Sequence, residues 1–252
     1  MRIGFIGTGV IASAIIEGIV ADGHQIYVTE RSRANSSRLA EKFDNVTIAD
    51  AHLIASQCEV IIVCLMADTA REICPSLQFQ AHQRVFSVMV GIPHEEWCEL
   101  VEPAAEAGIF IPFPFIAQGG SPLLVYPQSD TLAEIFGGRN HLVTLPNEEA
   151  LNSYLAAQAI LLPTAKLLHE ASQWLVSRTG DEVSAERFIR ILVGGYLTAE
   201  DYDQTAVFPA MLQDLSTEGG LNAQLRDHFG TNGVYKILGS GLNQLEDRLS
   251  KS

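Results

Sequence analysis

The feature that most constrains how this chain folds is a glycine pattern set between a short apolar strand and an amphipathic helix. Residues 2–6, "RIGFI", read as a buried strand, and "VIASAIIEGIVADG" from residue 10 carries apolar side chains at helical spacing. Between them Gly7-Thr8-Gly9-Val10-Ile11-Ala12 fits G-x-G-x-x-A. In that context each small residue has a physical task. Gly7 lets the strand turn tightly into the helix, Gly9 lets the backbone approach a pyrophosphate, and Ala12 lets the helix lie close on the sheet. The unpaired N–H groups and the dipole at the helix start then favour an anion. The pattern points to a bound dinucleotide.

Two other readings of Phe5 to Ile19 fail. A signal peptide needs an unbroken apolar run, and Gly7, Gly9 and Glu17 interrupt this one. A membrane span needs roughly 20 apolar residues, and "EVIIVCLM" ends at Asp68. A soluble, cytoplasmic protein without a membrane partner is therefore expected. The formal net charge of −14, with no dense basic run, argues against nucleic acid. Cys58, Cys64, Cys74 and Cys98 show no paired short spacing and read as reduced packing residues. His169-Glu170 lacks a second His at position 173, which is Gln, so no metal site is expected.

Along the first part of the chain, strand-like runs alternate with helical patterns: "RIGFI", "QIYVT", "EVIIVCL", "RVFSVMV", "GIFIPF", "PLLVY" and "HLVTL". Such alternation predicts an α/β domain of the Rossmann type, a doubly wound parallel sheet, over residues 1–146. After Pro146 the spacing turns helical throughout. Residues 147–252 are expected to form an all-helical domain for dimerisation and substrate binding. Asn147 is the expected N-cap, Pro163 would kink or divide the first long helix, and Gly180 would end it. Further helices are expected over "SAERFIRILVGGYL", "TAEDYDQTAVFPAMLQDL", "GGLNAQLRDHF" and "TNGVYKILGSGLNQLEDRL".

The choice of dinucleotide turns on the end of the second strand. Glu30 lies about 20 residues past the glycines, where a carboxylate would accept from a ribose 2′-OH and favour NAD. Arg31, Ser32 and Arg33 follow at once, and such a cluster suits a 2′-phosphate. NADP is favoured, with NAD open.

At this point the chain resembles pyrroline-5-carboxylate reductases over nearly its whole length. "IGFIGTGVIASAIIEGIV" resembles the family's opening, and "VFSVMVGIPHEEW" its strand-plus-glycine segment, with Gly91 matching. "IFIPFPFIAQGGSPLLVYP" stands where the family has Met-Pro-Asn-Thr-Pro beside the nicotinamide. "DLSTEGGLNAQL" stands where it has the Thr-Ser-Pro-Gly-Gly-Thr-Thr turn for the substrate carboxylate. The resemblance implies a two-domain reductase, dimeric through its helical part, with the active site at that interface. The glycine turn and the end of the second strand put Gly7, Thr8, Gly9, Val10, Ile11, Glu30, Arg31 and Ser32 on the cofactor, and the resemblance adds Leu65, Met66 and Gly91. Ser216, Thr217, Gly219, Gly220 and Asn222 fall to the substrate, and Phe113 and Phe115 either wall its pocket or pack as core.

The departures are equally specific. Leu65-Met66-Ala67 stands for Val-Lys-Pro, Phe113-Pro114-Phe115 for Asn-Thr-Pro, and Leu221-Asn222 for the paired threonines. Hydride transfer to a C=N bond asks little of the protein beyond position and electrostatics, so no catalytic residue is assigned. The expected activity is reduction of a small cyclic imine. A dinucleotide-binding sensor or regulatory protein without turnover is the alternative, since the turn at residues 217–220 would also serve as a plain helix cap. Dehydrogenation of a hydroxy acid would want a base, for which Lys166 and His169 are the nearest candidates.

Overall fold

The computed structural model describes residues 1–30, 32–200 and 204–250. It divides into two compact units, Met1–Leu151 and Asn152–Ser252. The first is built on one eight-stranded sheet. In chain order its elements are β1 (Arg2–Ile6), α1 (Val10–Ile19), β2 (Gln25–Val28), α2 (Arg33–Lys42), β3 (Val46–Ile48), α3 (Ala51–Gln57), β4 (Val60–Val63), α4 (Ala67–Ile73), β5 (Arg84–Ser87), α5 (His94–Leu100), β6 (Glu106–Pro112), β7 (Pro122–Tyr126), α6 (Asp130–Phe136) and β8 (His141–Thr144). The spatial order is β3-β2-β1-β4-β5-β6-β7-β8. Its first six positions are the doubly wound order, which reverses between β1 and β4.

The central strands read as unbroken apolar runs because both faces of the sheet are covered. In β4 the side chains alternate between two cores. Val60 and Ile62 join Phe5, Ile16 and Phe110 on one face, whereas Ile61 and Val63 join Val85 and Trp97 on the other. Ala12 of α1 is fully buried in the first core, which is the close helix–sheet approach the motif requires.

The sheet departs from the sequence expectation in two ways. β7 runs antiparallel to β6. Only residues 113–121 join them, too few for the crossover of a dozen or more residues that a parallel neighbour needs. β3, at the edge, was not expected at all: three residues are too short to show a period.

In the second unit the elements are α7 (Ala150–Ala157, which starts at the end of the first), α8 (Leu161–Thr179), α9 (Glu182–Leu197), α10 (Val207–Asp214), α11 (Leu221–Thr231) and α12 (Val234–Leu249). Asn147 Oδ1 accepts from Ala150 N–H at 2.9 Å. The expected division of the long helix falls at a 3-10 turn, Gln158–Ile160, just before Pro163, whose ring clashes with a carbonyl one turn back. The helix expected over residues 198–215 is corrected: it begins only at Val207, after Ala206 at φ +61°, and residues 201–203 lie outside those described. No described helix is long and apolar enough to cross a membrane.

Candidate functional site

Doubly wound sheets bind ligands beyond the carboxyl ends of their strands, where the order reverses. A cleft of about 600 Å³ lies there. It is lined by residues 7–12 after β1, residues 64–67 after β4, residues 88–90 after β5, and Ser32 before α2. The sequence-predicted Gly7, Thr8, Gly9, Val10, Ile11, Ser32, Leu65 and Met66 therefore share one cavity. Cys64 and Val88–Met89–Val90 line it too and were not expected; the carboxyl ends of β4 and β5 were the signal that would have found them.

The turn is shaped by contacts behind it. Gly7 has φ +99°, and a Cβ there would stand 2.3 Å from the Cys64 carbonyl oxygen. Its N–H donates to Thr29 Oγ1 at 2.8 Å, and the buried Thr8 hydroxyl donates to the Thr29 carbonyl at 2.5 Å. Asn35 Nδ2 donates to the Thr8 carbonyl at 2.9 Å. Gly9 is different: a Cβ there meets no atom within 4 Å. Ser13 is bonded back to the Gly9 carbonyl at 3.0 Å. The amides of Val10, Ile11 and Ala12 precede the first full helical bond and have no carbonyl one turn back.

Beside the turn, Glu30 is exposed and paired with Arg33, Nε to Oε1 at 3.4 Å. Arg31 lies outside the described residues. Gly91 is not on the cleft lining; it stands behind it, and a Cβ there would touch Ala67 Cβ at 3.6 Å. Its carbonyl accepts from Arg71 Nη2 at 2.8 Å. Arg71 also grips Glu96, with Nε to Oε1 at 2.6 Å and Nη2 to Oε2 at 3.0 Å. This fork ties α4, α5 and the turn after β5 together, and so braces two of the loops that line the cleft.

The hydrogen bond from Arg71 holds the Glu96 carboxyl below its ordinary value of 4.5. A carboxyl lowered on folding contributes stability above its unfolded pKa and loses it as pH falls through the folded one. Glu96→Gln is thus expected to lower the thermal midpoint at pH 7, with the gap to the wild type closing below about pH 4. A gap of unchanged size at pH 3.5 would show that the charge pair is not its source. Burial pushes the thiols the other way: Cys58 up to about 12 and Cys74 up to about 11, with Cys64 raised as well. All four cysteines are free. Cys58, Cys64 and Cys74 are packing groups, not nucleophiles, whereas Cys98, expected to pack, is exposed.

Phe113 and Phe115 follow β6 at the same carboxyl edge. They flank and occupy a 3-10 turn, Pro114–Ala117, and Phe115 is 51% exposed. They do not line the cleft. Ser216, Thr217, Gly219, Gly220 and Asn222 lie in the helical unit, at the turn into α11. Gly220 N–H donates to the Thr217 carbonyl at 2.9 Å, and Gly219 has φ +70°. The Ser216 hydroxyl donates to the Leu212 carbonyl at 2.5 Å and accepts from Arg226 Nη1 at 2.6 Å. Arg226 brings to this turn a cation that the sequence reading missed, because its register on α11 was needed to place it. It is also paired with Asp227 at 2.8 Å. Lys166 and His169 are exposed on α8, with Lys166 paired to Glu170.

Residues 2–91 match the family described as NADP oxidoreductase coenzyme F420-dependent. No curated protein is significantly similar in sequence. A pyrroline-5-carboxylate reductase from Coxiella burnetii superposes with a TM-score of 0.80 at 20% identity, covering 99% of this chain and 97% of its own. The pyrroline carboxylate reductase of Plasmodium falciparum, solved with NADP bound, gives 0.79 at 13% identity over 99% and 97%. The chain has the pyrroline-5-carboxylate reductase fold. An imine reductase from Pseudomonas sp. is more distant, with a TM-score of 0.63 at 16% identity over 99% and 91%. The pyrroline-5-carboxylate reductase fold thus extends over the helical unit as well as over the matched residues 2–91.

Proposed function

We propose that the protein is an NAD(P)H-dependent reductase of the C=N bond of a small cyclic imine, working as a homodimer through its helical unit. The observation that carries this reading is the cleft at the strand-order reversal, with an uncluttered Gly9 and free amides at the start of α1. The full-length likeness to pyrroline-5-carboxylate reductases and to an imine reductase supports the choice of C=N chemistry. NADP is favoured over NAD, because Ser32 and Arg33 follow Glu30 closely, Ser32 lines the cleft and Arg33 brings a cation beside the Glu30 carboxylate.

The dihydronicotinamide of the bound cofactor supplies the hydride. The protein's own residues bind and exclude water. Amides of the α1 start hold the pyrophosphate, and Leu65, Met66, Val88, Met89 and Val90 give the cleft an apolar wall with no charged side chain. An iminium is already protonated, so no residue is needed as a general acid.

The substrate is expected to be more apolar than pyrroline-5-carboxylate. Leu221 and Asn222 replace a pair of threonines at the carboxylate turn, and both are exposed. A carboxylate that loses one charge-assisted hydrogen bond loses roughly 1.5–3 kcal/mol, or about tenfold or more in affinity. The test is a panel of 1-pyrroline, its 2-alkyl and 2-aryl relatives, pyrroline-5-carboxylate and simple ketones, read by oxidation of NADPH and NADH. Higher kcat/KM for the uncarboxylated imines is the expected result, and a clear win for pyrroline-5-carboxylate would make the departures at the turn immaterial. The family description for residues 2–91 also names coenzyme F420, which belongs in the same panel.

A second reading, a dinucleotide sensor without turnover, is favoured by the Ser216 hydroxyl already being committed to Leu212 and Arg226. Tight cofactor binding with no oxidation by any substrate would select it.

A further inference from the structure

The bonds around the glycine turn lead to two side chains that do not line the cleft. Thr29, just past β2, is buried and holds the turn at two points, through its hydroxyl to Gly7 N–H and its carbonyl to the Thr8 hydroxyl. Its own N–H is bonded to the Phe5 carbonyl at 3.0 Å. Asn35, in the first turn of α2, reaches back to the Thr8 carbonyl. Glu30, Ser32 and Arg33 are therefore bracketed by two residues that both grip the phosphate turn.

We infer that Thr29 and Asn35 are positioning residues that lock the phosphate-binding turn to the ribose-reading segment, so that the two parts of the adenosine moiety are recognised as one unit. The inference rests on the dinucleotide site proposed above and adds to it a coupling between its parts. Gly7 lies just past the end of the β1 ladder, and without Thr29 Oγ1 its N–H would be buried and unpaired, a state the fold avoids. The orientation of the Gly7–Thr8 peptide sets where the next amides point, and hydrogen bonds to an anion weaken steeply once the angle is lost.

Asn35 tells the same story from α2. Asn is a poor interior helix residue because its side chain competes with the backbone. Here it does not cap α2, whose N-cap is Ser32. Its amide leaves the helix altogether for Thr8, so its benefit is to the turn.

The experiment titrates the full-length wild type, Asn35→Ala, Thr29→Val and Thr29→Ser with NADPH, NADH and 2′,5′-ADP, well below each thermal midpoint. Asn35→Ala and Thr29→Val are expected to weaken NADPH about tenfold, because each removes a hydrogen bond that fixes the turn. Asn35→Ala should also change the NADPH-to-NADH affinity ratio by about threefold or more, because it frees the 2′-reading segment from the turn. Thr29→Ser keeps the hydroxyl and should behave as wild type.

A merely structural role would lower the thermal midpoint and leave affinities and ratio unchanged; that outcome overturns the inference. Should Thr29→Val fail to fold, the affinity ratio of Asn35→Ala decides alone by the same criterion. A wild type that binds none of the three ligands removes the proposed function and this coupling with it. Binding by the wild type with unaltered variants removes the coupling alone.

Discussion

Gly9→Val is expected to leave the protein folded and to cut dinucleotide affinity by a hundredfold or more, equivalent to about 2.7 kcal/mol. The backbone at Gly9, φ −83° and ψ −166°, is open to any residue, and a Cβ there touches no protein atom. The protein thus tolerates a side chain that the ligand does not, because the added methyls take the space in front of the α1 amides. Gly7→Ala should do the reverse. Its Cβ would meet the Cys64 carbonyl at 2.3 Å on a backbone of positive φ, so the cost falls on folding. Fluorescence titration with NADPH, run beside thermal melts of both variants, separates the two effects. A Gly9→Val protein that binds NADPH like the wild type removes the assignment of the cleft.

That contrast shows what was legible in the sequence. Gly7 and Gly9 look alike in a string, yet a Cβ at Gly7 would strike the Cys64 carbonyl and one at Gly9 would meet no protein atom. The motif could be read because a strand and a helix flank it and because Ala12 is small, all local facts. Runs such as β4 were legible because burial on both faces leaves a continuous apolar stretch. The antiparallel β7 and the short edge strand β3 were not, since one depends on loop length between strands and the other is below any period.

At the site, residues 64–67 and 88–90 were only partly foreseen. They converge because β4 pairs in parallel with β1 and β5 with β4, not through any spacing. Thr29 and Asn35 were invisible for the same reason: their partners are 21 to 27 positions away. Phe113 and Phe115 are a different case. The resemblance set them beside the nicotinamide, and the structure places them around a 3-10 turn outside the cleft lining.

The helical unit carries the other large expected effect. Among the described residues of Asn152–Ser252, the buried hydrophobic side chains are Ala156, Ala185 and Ala223 alone. Large ones lie in the open instead: Leu162 is 78% exposed, Ile191 67%, Phe208 66% and Ile237 70%. A helix earns its stability mostly from tertiary packing of its apolar face, and a single copy of this unit leaves that face wet. Monomeric proteins rarely expose apolar surface on this scale, and a twofold pairing of identical chains is the commonest way to cover it. The groove between α8 and α12, lined by Ile160, Leu167, Ile237, Leu242 and Leu245, is the natural seam. Light scattering at micromolar concentration is expected to give twice the chain mass for the wild type. Ile237→Asp places a charge in that seam and should convert the dimer to monomer, with early melting of helical signal while NADPH binding by the sheet unit persists. A wild-type monomer that keeps its full helical content would mean that these faces need no second copy.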